Sequence, residues 1–243
     1  MIRFPDYDAA LMDIEGTTTS ISFVYEVLFP YARENLSAFL TANIGDEAVK
    51  ADLGLVREQA LADRAAGRDA PLPTSSDDLD GALANLRWQM DHDCKTTGLK
   101  SLQGKIWRAG YADGSIRGHV YPDVPAALQR LEDAGRSTYI YSSGSIAAQK
   151  LIFGYSEAGD LLPRIAGHFD TTTGPKKVAS SYTAIAEAIG LAPERVVFGT
   201  DNPAEAVAAR EAGMQVALFV RPGNHPLPED HGFVTVTSMD ALI

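Results

Sequence analysis

The sequence predicts an α/β protein: a doubly wound parallel sheet with an all-helical cap domain inserted after the first strand. Three observations carry that expectation. A short apolar run, Ala9 to Met12, ends in the acidic, turn-prone string D-I-E-G-T-T-T-S at Asp13 to Ser20, as a buried strand and its exit loop would. From there to about Gly118 apolar residues recur at helical spacing and no strand is needed. After Tyr121-Pro122-Asp123 short apolar strands alternate with helices through short connections, the pattern of a parallel sheet covered on both faces. The expected division is 1–19 with 119–243 for the core and 20–118 for the cap, the cap folding as a lid over the C-terminal edge of the sheet.

Within the helical block, Val24, Val27, Leu28, Tyr31, Leu36, Phe39 and Leu40 recur with helical period. Pro30 interrupts this pattern, where proline kinks a helix or forces it to restart. Further helices are expected over Leu53 to Ala66, along Leu79, Leu83, Leu86 and Met90, and along Leu99, Leu102 and Ile106. Gly67 to Ser76, with its prolines and Ser/Asp-rich end, reads as a surface loop. In the core, helices are expected over Val124 to Ala134, Ile146 to Phe153, Val178 to Ile189 and Ala204 to Ala212. Strands are expected at Thr138 to Tyr141, His168 to Asp170, Val196 to Phe198 and Val216 to Val220.

Composition narrows the function. The chain of 243 residues is 45% hydrophobic, enough to bury a full core. Its formal net charge of -11 argues against a nucleic-acid or anionic-membrane partner, since both require clustered Lys and Arg. Cys94 is the single cysteine, so no intrachain disulfide can form. No basic segment at the N-terminus leads into a long apolar run, and no stretch approaches the roughly 18 apolar residues of a membrane span. A cytoplasmic enzyme is the expectation.

Four strings stand at or just after strand ends, at the edge where open α/β sheets bind ligands. In the first, Asp13 and Glu15 are one residue apart, so an exit loop can present both to one centre. Asp13 suits nucleophilic attack on phosphorus, and Glu15 suits proton donation to the leaving oxygen followed by activation of water. Gly16 permits a tight reversal, and Thr17 can hydrogen-bond a phosphate oxygen. By itself the string is equally an acidic turn with a helix cap. The second, Ser142-Ser143-Gly144-Ser145, places hydroxyls and N–H groups at a helix start, which favours phosphate but also describes serine capping. The third, Thr173-Gly174-Pro175-Lys176-Lys177, holds the only adjacent lysine pair, and one of the two can reach a phosphate as a point charge. The fourth sets Asp201 directly after a buried strand and Glu205 four residues on. Asp201 fits a hard-cation ligand such as Mg²⁺; Glu205 reads as its partner or as an acid in a helix's first turn. A carboxylate nucleophile approaching a phosphate dianion is repelled by roughly 4 kcal/mol per pair of unit charges at 4 Å and an effective dielectric of 20. A cation and a lysine at the same edge would offset that repulsion.

Together these strings resemble the haloacid-dehalogenase superfamily, and within it the enolase-phosphatase (acireductone synthase) branch. The resemblance spans nearly the whole chain. It rests on D-I-E-G-T-T-T at Asp13, L-F-P-Y at Leu28, K-T-T-G-L-K-S-L-Q-G at Lys95, Y-I-Y-S-S-G-S at Tyr139, H-F-D-T at His168 and V-R-P-G-N at Val220. Glu15, where most superfamily phosphatases carry Asp, is similar to this branch. The resemblance implies a Rossmann-like core and a methionine-salvage activity that enolises 2,3-diketo-5-methylthiopentyl-1-phosphate and then removes its phosphate. It further implies one Mg²⁺ per subunit, held by Asp13, Asp201 and the backbone carbonyl of Glu15. Asp13 and Glu15 would be catalytic, and Ser142, Ser143 and Lys176 would contact substrate. The small phosphorylated diketone would be the only partner of a monomeric enzyme. The last acidic loop departs from the pattern at Gly199, where a small polar residue is expected, and at Pro203.

Two other readings compete. A phosphatase of the same superfamily could act on another phosphorylated metabolite, the cap supplying the leaving-group pocket; Phe23, Tyr25 and Trp107 would line it or serve as core. A phosphoacceptor signalling domain also combines an acidic cluster, Thr and Lys on a parallel sheet, but would lack the inserted helices and Glu15. The cap cations Lys95, Lys100, Lys105 and Arg108 either attract anionic substrate or form a solvated helix face.

Overall fold

The structure is a computed structural model and describes residues 4–243. It divides into two compact units, one formed by Met1–Tyr25 with Arg117–Ile243 and the other by Glu26–Ile116.

The first unit is built on six parallel strands: β1 (Ala9–Met12), β2 (Ser137–Tyr141), β3 (Gly167–Phe169), β4 (Val196–Thr200), β5 (Gln215–Phe219) and β6 (Val234–Val236). They lie in the order β3-β2-β1-β4-β5-β6. Every residue of β1 and β4 is buried, as expected of strands covered on both faces. The connections from β1 and β4 run outward in opposite directions, which makes the C-terminal end of β1 the topological switch point where α/β proteins bind ligands. Register completes the placement. Met12 lies opposite both Ile140 and Gly199, and the Asp13 N–H still pairs with the Gly199 carbonyl at 2.8 Å. Asp13 therefore leaves the sheet level with Tyr141 and Thr200.

Helices α5 (Val124–Asp133), α6 (Ile146–Gly154), α7 (Ala179–Ile189) and α8 (Pro203–Glu211) connect the strands. Pro203 sits in the first turn of α8, where its missing N–H costs nothing, and Asn202 caps that turn by accepting from the Ala204 N–H at 3.0 Å. The absent side chain at Gly199 also has a packing reason. A Cβ there would meet Met12 Cε at 2.5 Å and Phe219 Cε2 at 2.8 Å, so the neighbouring strands fill the space that a small polar residue would need.

The second unit contains α1 (Phe29–Asn43), α2 (Glu47–Ala65), α3 (Leu79–Asp91) and α4 (Thr97–Asp113). Helix α4 packs on α1 and α2, and α3 packs on the same two. The core between them includes Leu36, Leu40, Leu53, Leu86, Leu102 and Ile106. Pro30 marks a restart: a π-helical segment, Phe23–Leu28, precedes it, and α1 begins with the proline in its first turn. Trp107 is a core residue, buried with its indole N–H donating to the Leu28 carbonyl at 2.8 Å, whereas Tyr25 is exposed. Lys105 does not belong to a solvated face, because it pairs with the buried Asp52.

Three sheet details depart from expectation. Strand β3 begins at Gly167 and ends at Phe169, leaving Asp170 just beyond it. Strand β6 was not foreseen, because three residues set among Gly, Pro, His and Asp carry too little alternation to read as a strand. Val220 lies just beyond β5, although its N–H still donates to the Val236 carbonyl at 2.8 Å. Gly199→Val is expected to lower folding stability by about 1–3 kcal/mol through overpacking, measured as a shift in urea midpoint at unchanged slope.

Candidate active site

The exit loop of β1 folds around one carbonyl. The N–H groups of Thr17, Thr18 and Thr19 all point at the Ile14 oxygen, at 3.2, 2.9 and 2.9 Å. Gly16 has φ +68°, a conformation that L side chains rarely adopt. A Cβ at Gly16 would also run into Asp201, whose Cγ would lie 2.6 Å away, and into Asn224 Oδ1 at 2.9 Å. The loop can thus take this path only with glycine there.

The chain after β5 grips the same loop from outside. Asn224 Nδ2 donates to the Gly16 carbonyl at 2.9 Å. Arg221 Nε donates to the Thr17 carbonyl at 3.1 Å, while its two terminal nitrogens each reach an Asp123 carboxylate oxygen at 2.8 Å. Arg221 is buried over the Tyr121 ring and also donates to the Thr237 carbonyl at 2.8 Å, and a fork held by a carboxylate and two carbonyls is stiff. Thr17 is completely buried and its hydroxyl has no protein partner, so its carbonyl, rather than its side chain, is the part the surrounding structure engages.

At the centre, Lys176 Nζ lies 2.7 Å from Asp13 Oδ1 and 2.7 Å from Glu205 Oε2. The Ile14 N–H also donates to Asp13 Oδ1 at 2.7 Å. The Thr200 hydroxyl sits between Asp13 Oδ2 at 3.3 Å and Glu205 Oε2 at 3.1 Å. Lys176 is buried and Lys177 exposed, so only the first of the pair enters the cluster. Its backbone is pinned by the Tyr182 hydroxyl, which donates to the Lys176 carbonyl at 2.6 Å. Burial alone would weaken the ammonium, but the Asp13 and Glu205 carboxylates outweigh it and raise its pKa.

One ammonium cannot satisfy every carboxylate here. Burial, reinforced by the negative charge of Asp13, pushes Asp201 up to about 7 from its ordinary 3.8. The same two causes push Glu205 up to about 7 from 4.5, Lys176 offsetting them in part. Glu15 is half-buried and its charge also bears on Asp201. Among the described residues no three His, Cys, Asp or Glu side chains form a metal cage. A donor set of two carboxylates and one backbone carbonyl requires no such cage.

The serine loop leaves β2 at the same sheet edge. Ser142 is buried and its Oγ accepts from the Gly144 N–H at 3.2 Å; Ser143 is half-buried. Ser145, not either of these, caps α6 by accepting from the Ala148 N–H at 3.3 Å. Gln149 steadies the turn from behind, donating to the Gly144 and Phe169 carbonyls at 2.9 and 2.8 Å. Sequence reasoning placed Glu205 without a definite role and missed Thr200, Arg221 and Asn224 as individual residues. Only the V-R-P-G-N string pointed toward the last two.

The raised carboxylates have a measurable sign. A folded-state pKa above the unfolded value means that the folded chain holds the proton longer, so stability is full below the unfolded pKa and falls as pH rises toward the folded one. Metal-free protein is expected to lose stability from about pH 4 to about pH 7 through Asp201 and Glu205. His168, held down to about 4 by burial and Lys150, acts oppositely. The measurement is therefore the difference in urea stability between wild type and Asp201→Asn across that range, which should favour the variant increasingly as pH rises.

A haloacid dehalogenase-like hydrolase family model matches residues 7–213. The enolase-phosphatase E1 of Synechococcus elongatus is 49% identical, over 96% of each chain. The enolase-phosphatase E1 of Anopheles gambiae is 50% identical, over 90% of this chain and 76% of that one. Among solved structures, the UTR4 protein of Saccharomyces cerevisiae superposes with a TM-score of 0.78 at 33% identity, covering 96% and 98% of the two chains. CbbY of Rhodobacter sphaeroides, at a TM-score of 0.59 and 16% identity, shares the fold alone. With its acidic exit loop at the switch point, a lysine bound to the loop's first carboxylate and these relatives along nearly its full length, the chain belongs to the haloacid dehalogenase-like hydrolases, in their enolase-phosphatase E1 family.

Proposed function

We propose that this chain is a Mg²⁺-dependent enolase-phosphatase that converts 2,3-diketo-5-methylthiopentyl-1-phosphate to the acireductone 1,2-dihydroxy-3-keto-5-methylthiopentene and inorganic phosphate. The observation that carries the reading is the pairing of Asp13 with Lys176 at the switch point, in a chain 49% identical to an enolase-phosphatase E1 over 96% of its length. A phosphoacceptor signalling domain is disfavoured by that full-length similarity. We take the enzyme to act as a cytoplasmic monomer with one Mg²⁺ per subunit; no helix among the described residues is long and apolar enough to cross a membrane.

In this reading Asp13 has the central role. Its Oδ1 is tied to the Ile14 N–H and to Lys176, which fixes the plane of the carboxylate before substrate arrives. An Asp13 oxygen attacks phosphorus, the bond from phosphorus to the ester oxygen breaks, and Glu15 gives that oxygen its proton. Glu15 then takes a proton from water as the water oxygen attacks phosphorus, so phosphate leaves and the Asp13 carboxylate is restored. Ser142, Ser143 and Lys176 bind the phosphoryl oxygens. Enolisation comes first, a net shift of one proton from the carbon that bears the phosphate ester to the oxygen of the adjacent carbonyl, so that the C–H electron pair forms the C=C bond as the C=O becomes C–OH.

The residues fit a magnesium ion. The negative charge of Asp13 helps raise Asp201 to about 7, which marks the two carboxylates as neighbours, and Mg²⁺ commonly takes one or two carboxylates with waters and substrate oxygens. Asp13, Asp201 and the Glu15 carbonyl would hold it. When bound, the ion supplies positive charge that offsets the repulsion between carboxylate and phosphate.

The test is to incubate the protein with the diketo phosphate and Mg²⁺, following enol absorbance in the ultraviolet alongside phosphate release. An enol signal followed by phosphate is expected; phosphate with no enol intermediate or acireductone would leave only a generic phosphatase. Asp13→Asn is expected to reduce phosphate release by roughly 10³-fold or more, and undiminished turnover would remove Asp13 from the nucleophile role. Chelation by EDTA should stop phosphate release reversibly, with activity restored by Mg²⁺.

A further inference from the structure

The string V-R-P-G-N distinguishes the chain beyond β5, yet the proposed chemistry uses none of it. Its last residue, Asn224, occupies an unusual position. Nδ2 donates to two backbone carbonyls, Gly16 at 2.9 Å and Phe219 at 3.3 Å. Those two acceptors settle the orientation of the amide, because the reversed orientation would set its oxygen against carbonyl oxygens. Oδ1 therefore faces the other way as an acceptor. That oxygen is buried and has no hydrogen-bond partner in the protein, and a buried amide oxygen left without a donor is costly.

Oδ1 lies on the same side of Gly16 as the Asp201 carboxylate. The point where a Cβ on Gly16 would stand lies 2.9 Å from Asn224 Oδ1 and 2.6 Å from Asp201 Cγ. Two acceptors, an amide oxygen and a carboxylate, thus meet over the bare Cα of a glycine and leave no room there for a side chain. Whatever occupies this corner in the working enzyme must bring hydrogen-bond donors. The hydration shell of a divalent cation does so, since Mg²⁺ keeps several of its waters and these are strong donors.

We propose that Asn224 is a positioning residue of the metal site, its Oδ1 accepting a hydrogen bond from the water shell of a cation held by Asp13 and Asp201. This rests on the reading of those two aspartates as Mg²⁺ ligands. It gives the asparagine two separable tasks: Nδ2 holds the Gly16 loop, and Oδ1 serves the cation. Partners of this kind contribute about 10- to 100-fold to metal affinity.

The two tasks predict different behaviour for two variants. Asn224→Ala removes both. Asn224→Asp keeps an acceptor and adds negative charge, but it loses the donor to Gly16 and Phe219. Mg²⁺ binding to the metal-free protein would be followed by titration calorimetry, with the thermal midpoint measured without metal and circular dichroism confirming folding. Both variants are expected to melt below wild type without metal. Asn224→Ala should then bind Mg²⁺ about 10- to 100-fold more weakly, while Asn224→Asp should match or exceed wild-type affinity despite its weaker fold. Wild-type affinity in Asn224→Ala, or equal weakening in both variants, would reduce Asn224 to a loop clamp and overturn the proposal. Asp201→Asn is the control on the underlying reading. If it binds Mg²⁺ like wild type, the metal site itself is misassigned and the proposal falls with it; if it alone loses binding, only the role of Asn224 is overturned.

Discussion

Lys176 is placed between Asp13 and Glu205, and most of the site's architecture follows from that one buried ammonium. With 2.7 Å contacts to both carboxylates, it compensates acidic charge that would otherwise be buried uncompensated, which a protein interior penalises heavily. Its position is not left to a flexible stem. Tyr182, fully buried in α7, holds the Lys176 carbonyl, and Tyr141, at the end of β2, holds the Gly174 carbonyl at 2.8 Å. The sheet core therefore holds the backbone that carries the ammonium through two aromatic hydroxyls. One positive charge among several carboxylates leaves a deficit, and the raised pKa values of Asp201 and Glu205 express it. That deficit is what the proposed Mg²⁺ would offset.

The exit loop of β1 depends on a second constraint, which is close backbone approach. Gly16 turns through a left-handed conformation because Asp201 and Asn224 occupy the space on its open side. From the other direction, Arg221 grips the Thr17 carbonyl while its fork is locked on Asp123. Asp123 in turn accepts from the Met239 N–H at 2.8 Å, so the last turn of the chain buttresses its first functional loop. In the proposed mechanism such bracing matters more than any single contact, because a reacting carboxylate must be held close to its productive geometry.

The site also divides labour between its two acidic loops. The first carries Asp13 and Glu15, which act on the phosphate ester in the proposed mechanism. The second carries Asp201 and Glu205, four residues apart across the start of α8, so one faces the loop at Gly16 and the other faces Lys176. Thr200 joins the two loops by lying between Asp13 and Glu205. Pro203 and Asn202 begin the helix abruptly and so set the spacing of the two acids.

Local chemistry along the chain determined much of this protein. Apolar runs ending in Asp13, Ser142 and Asp201, with helical period between Val24 and Ile106, are sufficient to place an inserted helical block after the first strand and functional loops at one sheet edge, because strand burial and helix amphipathicity are written into short windows of sequence. Lys176 rather than Lys177 could be favoured only by resemblance, since neighbouring lysines are chemically alike until one is buried. Tertiary structure alone decided what joins residues distant in sequence: Glu205 to Lys176, Arg221 to Thr17, and Asn224 to Gly16. It also decided the need for glycine at position 199, between Met12 and Phe219. Such pairings arise from strand register and from backbones brought within contact distance, and no window of neighbouring residues contains them.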